Sequence, residues 1–196
     1  MIDNSDAVRL LEGKRNGAVV LATMNANNVV FGLPSVTNNE QLDFPISGCM
    51  GKASSVGLGL ALARPERKVM VLDGDGSLLM NLGAMVTLSD KAPPNLIHFL
   101  FDNGVYAVTG GQPVPGAGRI DWVKTASGAG YAATFSFDDL EDLTTGIDEV
   151  MRTTGPVFVH LAVTPEIENT PVHFRPRASR TIQTAIKELP EAIGRA

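Results

Sequence analysis

Short apolar runs alternate with helical segments along this chain. The clearest pair of runs, residues 69–72 and 96–101, is separated by a helix-like segment that ends before Pro93 and Pro94. This arrangement predicts one βαβ unit whose two strands are parallel and buried. Because both strands of such a unit finish at the same edge of the sheet, we expect the residues that follow each run to meet there.

The same kind of pattern predicts the other elements. Residues 24–32 fit either a short helix or the rim of a site, and residues 110–118 contain too many glycines and prolines for regular structure. The remaining predicted helices cover residues 5–15, 53–63, 121–129, a segment from Asp138 or Asp139 to about 151, and 179–189. Ser5 is the predicted cap of the first of these helices and Asp121 that of the third. The remaining predicted strands cover residues 18–22, 43–46, 131–135 and 156–163.

This order of elements predicts the fold class. Strands that alternate with helices indicate an α/β fold with a doubly wound, mainly parallel sheet and helices on both faces. We expect one domain over residues 1–165, followed by a C-terminal arm and helix over residues 166–196.

Composition removes several classes of function. The chain has 196 residues, a net charge of -5 and few aromatic residues, so an electrostatic nucleic-acid surface is not expected. The longest apolar stretch, residues 56–63, is too short to cross a membrane. The acidic N-terminus lacks the order of a signal peptide, which predicts a cytoplasmic protein. A single cysteine, Cys49, excludes disulfides and cysteine-built metal sites.

Polar residues suited to a metal and a phosphate follow both central strands. The sequence DGDGS follows the first run and DNG follows the second, which brings Asp75 and Asn103 to one edge. Carboxylate and amide oxygens suit a hard divalent cation, and glycine-rich turns let backbone N–H groups approach a phosphate. The pattern therefore predicts a site for a cation and a phosphate at this edge.

These motifs resemble those of a known family. GDGS, then a helix, a strand and DNG, is similar to the diphosphate and magnesium motif of thiamine diphosphate enzymes. The upstream segment SGCMGKASSVGLGLALARPER resembles the segment that holds the aminopyrimidine in the pyruvate-decarboxylase group. Together with MNLGA after GDGS and TGGQP after the DNG turn, these motifs resemble more closely the β subunits of sulfopyruvate decarboxylase, and also phosphonopyruvate decarboxylase. The resemblance covers about residues 17–165 and implies thiamine diphosphate and Mg²⁺ as cofactors.

The resemblance also implies a role for each motif position. Asp75 and Asn103 would bind Mg²⁺ through their side chains, and Val105 would bind it through its backbone carbonyl. Met50 would bend the cofactor so that its amino group reaches the thiazolium carbon. The positions that match cofactor-binding residues of the family are Gly48, Cys49, Met50, Gly74, Asp75, Gly76, Ser77, Asn103, Val105 and Tyr106.

One part of the family's active site has no counterpart here. The glutamate that hydrogen-bonds the pyrimidine ring belongs to a separate pyrimidine-binding domain, and only about 45 residues precede Ser47, too few for a domain. The resemblance therefore implies a partner α subunit that supplies this glutamate, in an α/β hetero-oligomer with β–β contacts. No catalytic residue is expected on this chain, which would be nearly inactive alone.

The implied reaction is non-oxidative decarboxylation of a short, anionic 2-oxo acid, most simply sulfopyruvate. Phosphonopyruvate decarboxylation, a carboligase of the acetolactate-synthase type and a regulatory subunit without activity stay open as alternatives. A ferredoxin-linked oxidoreductase is disfavoured by the single cysteine. A dinucleotide-binding fold is disfavoured because Gly57 and Gly59 are not followed by the third glycine of that motif.

For the other residues that could carry chemistry, the sequence predicts ordinary structural or solvent-exposed roles. Cys49 is interpreted as an inert cysteine, and His98 and His160 as satisfied histidines of apolar strands. Lys52 is expected to be a solvated lysine. Thr109 and Gln112 belong to the TGGQ signature without a defined role, and the basic tail is expected to face solvent or a partner. That tail contains Arg175, Arg177 and Arg180.

Overall fold

The computed structural model describes residues 1–194, and within them the chain forms one six-stranded parallel sheet flanked by helices. The sheet strands are β1 (Val19–Thr23), β2 (Asp43–Ile46), β3 (Val69–Gly74), β4 (Leu96–Asp102), β7 (Ala133–Phe137) and β8 (Val157–Ala162). They lie in the order β2-β1-β3-β4-β8-β7, and every neighbouring pair is parallel. The predicted fold class is confirmed.

Helices cover both faces of this sheet. The helices are α1 (Asn4–Lys14), α2 (Ala53–Ala63), α3 (Asp75–Leu79), α4 (Ala84–Lys91), α5 (Trp122–Ala129), α6 (Leu140–Arg152) and α7 (Ile182–Ala192). The helices α1 and α6 bury their apolar sides against one face, and α2, α4, α5 and α7 against the other. Two separate cores result, divided by strands that are apolar on both sides, as expected for a buried parallel sheet.

The central βαβ prediction is confirmed, with β3 and β4 as direct neighbours. Their register pairs Val69 with Leu96 and Gly74 with Phe101, so the carboxyl ends of the two strands lie next to each other. The segment between them forms two helices, α3 and α4, where one was expected. The residues after each strand therefore lie side by side at the carboxyl edge of the sheet.

Several predicted boundaries are wrong in detail. Asp3, not Ser5, caps α1, because its carboxylate accepts hydrogen bonds from the backbone N–H groups of Ser5 and Asp6 at 2.8 and 3.2 Å. The strand predicted at 131–135 begins two residues later, since Tyr131 instead turns its ring into the core. The last helix begins at Ile182 and is capped by Thr181.

The loop predicted over 110–118 contains a short regular element. Strand β6 (Gln112–Pro113) pairs antiparallel with β5 (Val105–Tyr106) directly after the DNG turn. Among residues 1–194, no helix is long and apolar enough to cross a membrane. The division at residue 165 stays a prediction, although α7 packs back on β2 and buries Ala185 and Leu189.

Candidate cofactor and metal site

A cleft opens at the carboxyl edge of strands β1, β3 and β4. Residues from both central turns share it with the segment after β1 and the loop before α2. Its lining residues are Asn4, Thr23, Met24, Asn25, Ala26, Met50, Asp73, Gly74, Asp75, Gly76, Ser77, Phe101, Asn103, Val105, Tyr106, Ala107, Val108 and Thr109. The structure thus brings most of the predicted site residues together at the edge where open α/β sheets bind ligands.

Asp75 is one of two buried acids that line the cleft within residues 1–194, Asp73 being the other, and 3% of its surface is exposed. Its Oδ2 accepts a hydrogen bond of 3.0 Å from the backbone N–H of Gly104, which ties the two central turns together. Burial, together with the negative charge of Asp102, raises the pKa of Asp75 to about 7, although backbone N–H groups of Gly76 and Gly104 favour the ionised form. A nearby cation would relieve this cost.

Asn103 and Val105 lie beside Asp75 in the same cleft. The side-chain oxygen of Asn103 accepts a hydrogen bond of 3.0 Å from the N–H of Val105, which fixes the turn. The carbonyls of Gly104 and Tyr106 accept backbone hydrogen bonds of 2.9 and 3.1 Å. The strand partner of Val105 is Pro113, which has no N–H to donate to the carbonyl of Val105. These oxygens suit a cation.

The glycine turn leaves room for a neighbouring ring. A Cβ on Gly76 would lie 2.5 Å from Cε1 of Tyr106, so only glycine lets that ring close against the start of α3. The N–H of Gly74 already donates to Asp73 at 2.9 Å. The predicted approach of a diphosphate therefore depends on the N–H groups that follow Gly74 in this turn.

Two side chains of the GDGS region hold the loop before α2. Ser77, buried, accepts a hydrogen bond of 3.1 Å from the N–H of Gly51, and Asn81 donates one of 3.1 Å to the carbonyl of Gly51. Gly51 has a φ of +76°, a left-handed conformation that favours glycine. The predicted pyrimidine loop and the predicted diphosphate turn are thus fixed to each other.

Only one of the three predicted pyrimidine-loop residues lines the cleft. Met50 lies on its wall, whereas Gly48 and Cys49 are not among the lining residues. Gly48 is exposed and has a left-handed φ of +73°. Cys49 is a free cysteine that packs partly against the core, in keeping with the inert interpretation.

Sequence reasoning identified one further part of the lining and missed another. Met24 and Asn25 lie in the short 3₁₀ helix Met24–Asn27 after β1 and belong to the cleft wall, so both interpretations of residues 24–32, a short helix and the rim of a site, hold for the first residues of this segment. Asn4, at the start of α1, also lines the cleft. The available signal for Met24 and Asn25 was their position directly after the apolar strand β1, which ends beside β3 at the same edge of the sheet. Asn4 carried no local signal, because its position depends on how α1 packs.

The two strand histidines are not equivalent. His98 is fully buried and its Nδ1 lies 2.8 Å from the hydroxyl of Tyr131. His160 is partly exposed and its Nε2 lies 3.1 Å from Asp102, the residue before Asn103. The prediction of satisfied, buried histidines is met in part by each: His98 is buried, but its Nε2 has no hydrogen-bond partner among the described residues and lies 3.5 Å from Oδ2 of Asp73, whereas both ring nitrogens of His160 are hydrogen-bonded but its ring is partly exposed.

The basic tail differs from the expectation. Arg180 is buried rather than solvated, and its Nε donates to the carbonyl of Asp43 at 2.7 Å. Arg175 donates to the carbonyl of Val108, on the cleft wall, at 3.1 Å. Lys52 is exposed, as expected.

Thr109 and Gln112 form a local turn. The side-chain amide of Gln112 donates to the Thr109 carbonyl at 2.9 Å, and the Thr109 hydroxyl donates to the Gln112 side-chain oxygen at 3.1 Å. Of the two, only Thr109 lines the cleft. The TGGQ signature thus shapes the rim beside Tyr106.

Known proteins are similar to this chain in sequence. Residues 22–161 match the family described as thiamine pyrophosphate enzyme, C-terminal TPP binding domain. A phosphonopyruvate decarboxylase from Streptomyces viridochromogenes is 40% identical over 156 residues, which are 80% of this chain and 38% of that protein. The sulfopyruvate decarboxylase subunit beta of Methanothermobacter thermautotrophicus is 37% identical over 193 residues, 96% of each chain.

A solved structure agrees on the fold. The thiamine diphosphate-dependent 4-hydroxybenzoylformate decarboxylase of Rhodococcus jostii RHA1 aligns with a TM-score of 0.69 at 20% identity, over 86% of this chain and 33% of that one. This chain therefore spans about a third of that structure and 38% of the Streptomyces relative. The resemblance found in the motifs is confirmed: the chain belongs to the thiamine pyrophosphate (thiamine diphosphate) enzymes, as their C-terminal cofactor-binding domain.

Proposed function

We propose that this chain is the diphosphate-binding β subunit of a thiamine diphosphate- and Mg²⁺-dependent 2-oxo acid decarboxylase. Asp75, Asn103 and the carbonyl of Val105 would hold the cation, and Met50 would support the bend of the cofactor. The substrate that we favour is sulfopyruvate, converted to sulfoacetaldehyde and CO₂. The relative that aligns over 96% of both chains is named for that activity, which supports the choice.

The negative charge of the cleft lining is the main observation that supports this proposal. Its lining includes Asp73 and Asp75 but, within residues 1–194, no lysine, arginine or histidine. A diphosphate alone would meet negative charge there with no basic side chain to offset it. A divalent cation between the diphosphate and the oxygen ligands removes the conflict, and an all-oxygen ligand set suits Mg²⁺. In the described residues no cluster of three or more His, Cys, Asp or Glu offers another metal site.

The residues of this chain would bind and orient the cofactor. When bound, thiamine diphosphate supplies a carbon nucleophile that accepts the electrons released as CO₂ leaves. The cation ligands would fix the diphosphate end, and the contact of Ser77 with Gly51 would keep Met50 at a constant distance from it. Tyr106 and Met50, on the cleft walls, would limit access of water.

The step that activates the cofactor requires a group from elsewhere. No glutamate is among the residues that line the cleft in the described part of the chain. We therefore assign the activating glutamate to an α subunit that carries the pyrimidine-binding domain, in a hetero-oligomer with the cofactor at the α–β interface. Relatives named as subunit beta support a partner of this kind.

The test is reconstitution with a substrate panel. This chain, its partner and the mixture would each be given sulfopyruvate, phosphonopyruvate or pyruvate with thiamine diphosphate and Mg²⁺, and aldehyde and condensed products would be measured. We expect aldehyde from sulfopyruvate in the mixture only. Turnover by this chain alone would refute a site shared between two chains. A condensed product instead of aldehyde would refute decarboxylation and indicate carboligation.

A further inference from the structure

The C-terminal arm, over residues 166–177, runs along the segment that forms one wall of the cleft. The backbone N–H of Glu168 donates a hydrogen bond of 2.9 Å to the carbonyl of Ala107, which lines the cleft. Ile167 packs over Gly111, where a Cβ would lie 2.6 Å from Cδ1 of the isoleucine. These contacts fix the position of the arm relative to the cleft wall.

Arg175 brings a positive charge to the same wall. Its Nη1 donates to the carbonyl of Val108 at 3.1 Å, and its Nε donates to the carbonyl of Thr170 at 2.6 Å. Within residues 1–194, Nη2 has no hydrogen-bond partner, and no carboxylate forms an ion pair with the guanidinium within 4 Å. The side chain is therefore held in place by two carbonyls and keeps N–H groups available for an anion.

One acid of the arm offsets part of this charge. The pKa of Glu168 is lowered, first by its hydrogen bonds with Thr170 and to a smaller extent by the positive charge of Arg175. The carboxylate and the guanidinium therefore lie close enough to interact, although they do not form an ion pair. Removal of either group should change the potential at the cleft wall, and the two changes should have opposite signs.

The part of the cleft next to Arg175 is not used by the proposed cofactor contacts. Ala107, Val108 and Thr109 line the cleft but are not among the residues expected to bind the cofactor, which end at Tyr106 in this segment. A substrate that reacts with the bound cofactor must occupy the same cleft. The wall formed by residues 107–109 is therefore available to the far end of that substrate.

The charge of the cleft lining favours a role for a nearby cation in binding an anionic substrate. The lining includes Asp73 and Asp75, and a 2-oxo acid with a sulfonate or phosphonate group adds at least two negative charges. Within residues 1–194, Arg175 is the one lysine or arginine that is hydrogen-bonded to a residue of the lining. A guanidinium also suits such a group, because its N–H groups form a fork that matches pairs of anionic oxygens.

We propose that Arg175 is a specificity-determining residue, whose guanidinium binds the anionic far end of the 2-oxo acid beside the wall at Val108. The inference rests on the proposed function, because it takes this cleft as the site of decarboxylation. It assigns to the arm of this chain the recognition of a sulfonate or phosphonate group. A cation supplied by the partner chain instead is an outcome that the test distinguishes.

The experiment measures steady-state decarboxylation by the full chain copurified with its partner, with sulfopyruvate and phosphonopyruvate in separate arms. Thiamine diphosphate and Mg²⁺ are saturating, and the ionic strength is low because salt screens such a charge. Arg175→Gln removes the charge but keeps N–H groups for the Val108 carbonyl, whereas Arg175→Lys keeps the charge. The matched control is Arg177→Gln, the same change at an exposed position of the arm. Calorimetry gives the Kd of thiamine diphosphate for each variant.

We expect the KM of Arg175→Gln for the substrate that is turned over to rise about fivefold or more. Its kcat and the Kd of thiamine diphosphate should stay within about twofold of wild type, because the lost contact contributes to substrate binding and not to the chemical step. Arg175→Lys should have a KM at most about half that of Arg175→Gln, and the control should stay within about twofold of wild type.

Three results would overturn the inference. A smaller increase in the KM of Arg175→Gln would assign the cation to the partner chain, and an equal KM of Arg175→Lys would show that charge is not the cause. A loss of kcat or of cofactor affinity as large as the change in KM would show that Arg175 only supports the cleft wall.

A second variant decides if circular dichroism shows that Arg175→Gln is unfolded. Glu168→Gln should then lower the KM by about twofold or more, because it removes the acid that offsets the charge, and an unchanged or higher KM overturns the inference. Turnover by the wild-type complex leaves the proposed function standing in each of these cases. A wild-type complex that turns over neither substrate refutes the proposed function and the inference together.

Discussion

Two glycines of α2, two positions apart, should respond in opposite ways to alanine. Gly57 faces the sheet, and a Cβ there would lie 2.4 Å from Cγ2 of Val71 in β3. Val71 is fully buried and β-branched, so its side chain cannot rotate away easily. Gly59 is exposed, and a Cβ there would meet no atom within 4 Å. The same substitution therefore tests packing at one site and helix propensity alone at the other.

The magnitudes follow from these contacts. Each Gly→Ala change in a helix gains about 1 kcal/mol of propensity. Overpacking against Val71 costs about 1–3 kcal/mol, so Gly57→Ala should lower the free energy of unfolding by up to about 2 kcal/mol. Gly59→Ala should raise it by up to about 1 kcal/mol. For a chain of this size, 1 kcal/mol corresponds to about 2–4 °C in Tm.

The assay is urea unfolding of the isolated chain, with melting temperature as a second readout. We expect Gly57→Ala to be less stable than wild type and Gly59→Ala to be equally or more stable. If both variants shifted in the same direction by a similar amount, α2 would not pack on β3 as described. The position of the loop that carries Met50, which precedes α2, would then be in doubt as well.

Three further results are expected. Ser77→Ala should cost about 1–3 kcal/mol of unfolding free energy, because it leaves the buried N–H of Gly51 without its acceptor; Ser55→Ala, exposed on α2, is the control and should change little in the same urea titration. Arg180→Met should cost about 2 kcal/mol or more, because it removes the hydrogen bonds to the carbonyls of Asp43 and Gln41, whereas exposed Arg177→Met should not lower Tm. In EDTA, the stability of wild type relative to Asp75→Asn should fall as pH rises from about 4 to 7 and level off above pH 7. The folded pKa of Asp75, about 7, lies above the unfolded value of 3.8, so the stabilisation is lost as the carboxyl group ionises. A flat difference across this range would contradict the raised pKa.

The central unit was predictable because its signals are local. The run 69–72 is apolar at every position and the run 96–101 at every position except His98, and both end in Asp-Gly or Asn-Gly turns, so the strands, their shared edge and the polar cluster follow from sequence alone. The meeting of Asp75 with Asn103 required only that the two strands be parallel neighbours. The structure confirms that arrangement.

Contacts across distant elements could not be predicted in this way. The pair of Asp102 and His160 is separated by 58 positions and depends on β8 lying next to β4, although β7 and two helices intervene in sequence. An apolar strand gave His160 the pattern of a core residue. Arg180 carried the pattern of an exposed tail, since nothing local shows that it reaches the carbonyl of Asp43.

The most direct test of the account is calorimetric titration of thiamine diphosphate into the chain copurified with its partner. Wild type, Asp75→Ala and the control Asp138→Ala would each be measured with Mg²⁺ and again with EDTA. We expect wild type and control to bind only with Mg²⁺, and Asp75→Ala to show no binding in either condition. Equal affinity of Asp75→Ala and wild type, or binding by wild type in EDTA, would contradict a cation held at Asp75.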